Sequence, residues 1–333
     1  MSDPEIKAQV NQLEEAADKN KNQIIDETRI RVFRAEPLGH NTDRDLDKLL
    51  AFGYKHSQEF AEAAKKGHKA LADFIYDKFY SEDFDNRTYS DNADFSNLKR
   101  SYDSKAKELL DNFLVLSEKY IKNPQLYPIR PVEPSPSMIE KGWVYFKFNG
   151  GRNRETALGR FYLNIKPENL VEFYKEAVVA LQKKGLSFDA KIAKEGSLDD
   201  FNRNDKMVIY FNEKDETIML RELEELYKKH KPAFLSEKPR LSAQIVDPHG
   251  LPMDGVSFGE EPTNQGGASF GAIRADILAS VYEDAASKRY AFDSPEMIEA
   301  FRKKCSDKGV DATNTGFNAK QGTFPLIRRH VNN

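Results

Sequence analysis

Three runs between residues 158 and 212 alternate apolar and polar side chains, and one amphipathic segment separates the first two. In GRFYLNI, Phe161, Leu163 and Ile165 fall on one side and Arg160, Tyr162 and Asn164 on the other. FDAKI sets Phe188, Ala190 and Ile192 against Asp189 and Lys191, and KMVIYF sets Met207, Ile209 and Phe211 against Lys206, Val208 and Tyr210. A period of two belongs to strands, whose side chains point to opposite faces in turn. The separating segment has helical spacing: Pro167 suits a first turn, Leu170, Phe173, Tyr174, Ala177, Val178 and Leu181 form a stripe, and Gly185 closes it. If the strands share a sheet, its apolar face packs on this helix and its other face collects Arg160, Lys191, Tyr162 and Tyr210. That second face reads either as the solvated side of a half-buried sheet or as a floor for an anionic group such as phosphate, which the planar guanidinium suits.

The rest of the chain gives an α+β expectation: a mixed or antiparallel sheet flanked by helices, preceded by a helical region. Residues 1–122 read as helical, with a charged helix over Asp3–Asp26, helical faces between Asn41 and Tyr80 broken at Gly53 and Gly67, and a long helix from Phe95 to Ile121. The last would bury Leu98, Tyr102, Leu109, Leu110, Phe113 and Leu116. A connector over 123–137 carries Pro124, Pro128, Pro131, Pro134 and Pro136, which cannot donate to a ladder. The α+β domain is placed at 138–308 and an irregular tail at 309–333. Within the domain, GWVYFKF (142–148) and RLSAQIV (240–246) read as further strands, and Glu213–Lys229 as a helix with a basic last turn stopped by Pro232. Ser269 caps a helix carrying Ile273, Ile277, Leu278, Val281 and Tyr282, and Ser294 with Pro295 starts another. Glycines 266, 267 and 271 lead into the Ser269 helix. This is either plain capping or an anion site with Arg274 one turn in.

Several classes of chemistry find no support. With 51 basic and 54 acidic residues, the formal charge of -3 gives no argument for nucleic acid or an anionic membrane as partner. No run is long and apolar enough to span a bilayer, and the first residues lack a signal core. The one cysteine, Cys305, excludes an internal disulfide and fits a cytoplasmic protein, or an effector secreted without a cleaved signal. The six histidines show no metal-ligand spacing, no Walker or dinucleotide loop occurs, and no metal or cofactor is expected.

GRFYLNIKPENL, FDAKIA, FNRNDKMVIYFN and GVSFGEEP…SFGAIR, spread over about Gly142 to Tyr282, together resemble the motifs of the HopA type III effector family. Relatives of that family also occur as lyase components of class V lanthipeptide and thioamitide pathways. The resemblance implies a phosphoserine or phosphothreonine lyase that needs no cofactor, acting on a phosphorylated precursor peptide made by a separate kinase. β-Elimination requires a base for the α-proton, cations for the departing phosphate, and a donor. Under this resemblance Lys191 is the base, with Lys147 as the alternative. Arg160, Arg203 and Arg274 hold phosphate, Tyr210 donates or positions, Asp205 orients Arg203, and Tyr162, Ser269 and His249 support the site. Family members often carry histidine where Ile273 stands, and some where Asn164 stands. His249 or Tyr210 would then serve as donor, or the site binds phosphopeptide without turnover.

Overall fold

The computed structural model describes residues 56–80, 95–122, 143–149, 151, 156–193, 203–262, 269–288, 294–319 and 323–331. The alternating runs become strands at the expected positions: β1 (Trp143–Phe148), β2 (Leu158–Leu163), β3 (Phe188–Ala193) and β4 (Met207–Asn212). With β5 (Ala243–Val246) and β6 (Pro252–Glu260) they form one six-stranded sheet in the order β1-β3-β4-β2-β6-β5, every pair antiparallel. The chain is α+β, as the sequence leads one to expect.

Strand β6 does not show in the sequence pattern. Its run PMDGVSFGE is interrupted by Gly255 and Gly259, residues poor in strand propensity. Gly255 has φ 67°, and a Cβ there would lie 2.9 Å from the Asn164 carbonyl oxygen and closer still to that of Leu235. Only glycine fits, so tertiary contact overrides propensity at this point.

The apolar sheet face carries Val144, Phe146, Phe148, Phe161, Leu163, Phe188, Ile192, Met207, Phe211 and Phe258, all buried. Helices α3 (Phe95–Lys122), α4 (Pro167–Lys183) and α5 (Glu216–His230) supply the opposing stripes, among them Tyr102, Leu170, Phe173, Leu220 and Leu223. Tyr102 and Leu109 are buried and Leu98 half-buried, whereas the side chains of Leu110, Phe113 and Leu116 lie outside the described residues, as do the helix over Asp3–Asp26, Gly53 and the connector 123–137. The expected break at Gly67 separates α1 (Ser57–Lys65) from α2 (His68–Phe74), which runs on into a π-helical turn, Ile75–Tyr80.

Most of the second sheet face is covered, although Lys147 and Lys191 remain partly exposed. Helix α6 (Phe270–Lys288) and the π-helical turn cover it, joining Tyr80 and Phe270 to Tyr145, Tyr162, Val208 and Tyr210 in a separate cluster. Behind α6, a third core unites α1, α2 and α7 (Pro295–Asp307), with Cys305 fully buried in it. The two serine caps form as expected: Ser269 Oγ accepts from Ala272 N at 3.3 Å and Ser294 Oγ from Met297 N at 3.3 Å. The tail past Gly309 packs on the sheet. Phe317, Phe324 and Ile327 are buried, residues 325–329 form a short helix α8, and Val331 bridges to Ile245 beside the sheet edge. A sparse apolar pattern concealed this, because few residues there do the packing.

Candidate functional site

The strand registers stack polar residues in rows across the covered face. Lys147, Asp189, Tyr210 and Arg160 are successive neighbours from β1 to β2, and Tyr145, Lys191, Val208 and Tyr162 form the next row. Five of the sequence-selected residues, Arg160, Tyr162, Lys191, Tyr210 and Lys147, therefore share one face. Arg160 and Lys191 stand two strand spacings apart, about 10 Å across the sheet, with long side chains between them.

Lys191 and Arg203 converge on Trp143 at the start of β1. The Lys191 ammonium lies 3.6 Å from the indole centroid and the Arg203 guanidinium 5.1 Å from it, both within cation–π reach. Asp205 grips Arg203 by its Nε–Nη2 edge, at 2.8 and 3.0 Å, in the fork geometry that fixes a guanidinium plane. Burial works to raise the Asp205 carboxyl, but the charge and hydrogen bonds of Arg203, with the Lys191 charge, together outweigh it and hold the group below the usual carboxylate range. Asp205 thus fixes the plane of the Arg203 guanidinium in this structure.

Arg160 occupies a cage of rings: its guanidinium carbon is 4.8 Å from the Tyr210 centroid, 5.7 Å from that of Tyr162 and 5.9 Å from that of Phe270. Its Nη2 pairs with Glu261, and among the described residues its Nε, though buried, finds no hydrogen-bond partner. Only 7% of Arg160 is exposed. Burial alone would loosen its proton, but the phenols of Tyr162, Tyr210, Tyr80 and Tyr76 outweigh that and keep it above its ordinary range. Burial likewise lifts the Tyr162 phenol well above its usual value, with Arg160 only partly opposing, so Tyr162 remains protonated.

Arg274 shares the Phe270 ring with Arg160 and lies within electrostatic reach of it, but its hydrogen bonds lead elsewhere. It is fully buried, its Nε and Nη2 donate to the Thr315 carbonyl at 3.0 and 2.9 Å, and Nη2 reaches the Phe317 carbonyl at 3.4 Å. Its guanidinium lies 3.8 Å from the Phe270 centroid, and burial pulls its pKa down to about 10. In this structure Arg274 pins the 315–317 segment rather than facing the Trp143 cluster. Ser269 serves as the α6 cap. His249 is exposed at the tip of the β5–β6 hairpin, where its amide donates to Asp247 at 2.9 Å. The electrostatic neighbours of Asp247 include Glu224, Lys228 and Lys231, in or just past α5, the helix on the apolar side of the sheet.

Several residues in or beside the face were not singled out from the sequence. Trp143 could have been, since alternation in WVYFKF sets it with Tyr145 and Lys147. Lys206, 2% exposed, donates to Asn164 Oδ1 at 2.6 Å and to the Arg203 carbonyl at 2.7 Å, tying the Arg203 loop to β2. Glu261 meets Arg160 only through the fold, from 101 positions away. Asn164 itself is absorbed in structure, since its amide also donates to Asn204 Oδ1 at 3.2 Å and to the Glu237 carbonyl at 2.8 Å.

A six-stranded antiparallel sheet with helices on both faces, one face carrying buried cations among phenols, defines an α+β protein. The sequence profile of the HopA1 effector protein family matches residues 134–316, more than half of the chain, and the protein belongs to that family. Two solved effector structures are similar to it. The one from Pseudomonas syringae pv. syringae strain 61 has a TM-score of 0.50 and 14% identity, covering 84% of this chain and 98% of its own. The one from Pseudomonas syringae pv. tomato strain DC3000 has a TM-score of 0.47 and 14% identity, covering 79% and 97%. No curated protein sequence matches. Among the described residues no helix is long and apolar enough to cross a membrane.

Proposed function

We propose that this chain is a metal-independent lyase that converts phosphoserine or phosphothreonine in a peptide to a dehydroamino acid. The base takes the proton from Cα, the electrons of that bond form the Cα–Cβ double bond, and the Cβ–O bond breaks with its electron pair leaving on phosphate. Lys191 is the base in this reading, with Lys147 the alternative further along the same face. Arg203, oriented by Asp205, and Arg160 neutralise the phosphate as charge builds on it. Tyr210, next to Arg160 in the row, donates to or positions the leaving group. Arg274 is given no phosphate contact, because its Nε and Nη2 are taken by the Thr315 and Phe317 carbonyls and the side chain is fully buried.

The observation that carries the reading is the convergence of Lys191 and Arg203 on Trp143, on the face that also holds Arg160 and Tyr210. The proposed substrate is a ribosomally made precursor peptide phosphorylated by a separate kinase. Purified protein incubated with such a phosphopeptide should release inorganic phosphate and leave a product lighter by the mass of phosphoric acid. Intact phosphopeptide after incubation, with the cognate kinase and precursor supplied, would remove the enzyme reading.

One observation favours capture without turnover. Asn164 occupies a position where some family members carry histidine, and it is committed to Lys206, Asn204 and the Glu237 carbonyl. Under that second reading Arg160→Ala weakens phosphopeptide binding while no product forms from any substrate.

A further inference from the structure

The face described above is closed by a segment that lies outside the family-matched residues. We propose that the π-helical turn Ile75–Tyr80 is part of the candidate site and that Tyr80 is its positioning residue, fixing the Arg160 guanidinium through Tyr162. The inference rests on the reading of Arg160 as a phosphate-binding cation.

A π turn is rare and persists where packing or function repays its poorer geometry. Here Ile75, Phe79 and Tyr80 are buried, and Arg240 donates to the Phe79 carbonyl at 3.2 Å while lying 4.3 Å from the Phe79 ring centroid. Tyr76 and Tyr80 stack with centroids 5.4 Å apart and planes 24° from parallel. Gly271 in α6 makes room for them: a Cβ there would sit 2.7 Å from Tyr76 Cε2 and closer still to Tyr80 Cε1.

The hydroxyl of Tyr80 donates to that of Tyr162 at 2.9 Å, with the two residues 2% and 1% exposed. If ring packing alone were needed, phenylalanine at either place would avoid burying a polar oxygen. The hydroxyl pair instead fixes the direction of both rings. Burial pushes the Tyr80 phenol well above its usual pKa, so it stays a donor across the physiological range. Tyr80 also packs on Phe270, centroids 6.2 Å apart, as does Tyr162 at 5.8 Å. Tyr80 thus touches two of the three rings flanking Arg160. Asp77, in the same turn, lies within electrostatic reach of Arg203. The turn therefore addresses both phosphate-facing arginines.

Full-length Tyr80→Phe keeps the ring and deletes the donor, and Gly271→Ala displaces the stacked pair from the opposite side. The first readout uses no substrate. The Arg160 Nε–Hε resonance, identified by its loss in Arg160→Lys, should be sharp in the wild type and exchange at least about tenfold faster with water in both variants, the scale of one lost hydrogen bond. The second readout is affinity for phosphothreonine and, where turnover is seen, kcat/KM on a phosphopeptide. Both should fall about tenfold. An Arg160 resonance unchanged in both variants overturns the positioning role, whatever the lyase assay gives. A resonance that changes while wild-type protein yields no product leaves the positioning role standing and removes the lyase reading.

Discussion

Replacing Glu261 by glutamine removes the charge that Arg160 faces in the resting protein. The side chains of the pair are 8% and 13% exposed, so the loss of one partner leaves a cation largely cut off from water. Breaking such a pair costs roughly 3–5 kcal/mol when nothing replaces the partner. Glutamine retains a carbonyl acceptor, which brings the expected loss to about 2–3 kcal/mol. Phosphate should then bind more tightly, because it no longer competes with a resident carboxylate and can engage both Nη2 and Nε of Arg160, the latter without a partner among the described residues. An affinity gain of about tenfold would recover roughly half of the loss. Urea unfolding of both proteins, with and without inorganic phosphate at about 100 Kd, measures this. There the ligand adds about 2.7 kcal/mol if it binds only the folded state. Phosphate affinity that is equal in the two proteins, or lower in the variant, would refute the assignment of Arg160 as a phosphate ligand held closed by Glu261.

Lys191→Met should reduce phosphate release by about 100-fold or more while phosphopeptide binding, followed by isothermal calorimetry, changes less than fivefold, roughly the split expected of a base. Asp205→Asn should weaken phosphate binding in the same calorimetric assay, opposite in sign to Glu261→Gln, because Arg203 loses the carboxylate that orients it. His68 links α2 to α6, its ring nitrogens 2.8 Å from Glu283 and 2.8 Å from Asp276, and Asp276 also meets Lys308 at 2.8 Å. Burial acts to lower its pKa, but the two carboxylates outweigh it and the net shift is upward. The stabilisation is then complete below the unfolded value of about 6.5 and is lost as pH rises through the higher folded value. After allowance for partial exposure, about 1 kcal/mol should disappear across that window in urea unfolding, and His68→Gln should flatten the profile.

The sheet was legible because its side-chain period is two and its residues are large: Phe161, Phe188 and Phe211 announce the same face from three strands. What covers the second face was not legible from those strands. Arg160 and Tyr162 alternate as polar residues in either environment, and the residues that close over them, Tyr80 and Phe270, lie 82 and 108 positions from Tyr162. Arg274 shows the same limit. Its position one turn into a capped helix is that of an anion ligand, and nothing local reveals that Thr315 and Phe317 turn their carbonyls to it. Asp205, by contrast, reaches Arg203 from two residues away, and that short-range pairing was readable in the sequence.

The two paired arginines are not equivalent, and the difference lies in which edge of each guanidinium is used. Asp205 fills the Nε–Nη2 edge of Arg203 and moves with it, since the residues are two apart and Lys206 ties the Arg203 carbonyl to Asn164. An incoming phosphate gains little by displacing that carboxylate, and the pair is better suited to present Arg203 than to yield it. Glu261 uses Nη2 of Arg160 and leaves Nε without a partner among the described residues, so the same edge is half occupied. A tetrahedral dianion can satisfy both nitrogens where a single carboxylate oxygen satisfies one. Buried charge needs a counter-charge at every stage. Under the proposed function Glu261 supplies it before phosphate arrives and phosphate supplies it afterwards, which would make Arg160 exchangeable and Arg203 fixed on a face that burial would otherwise make too costly to charge.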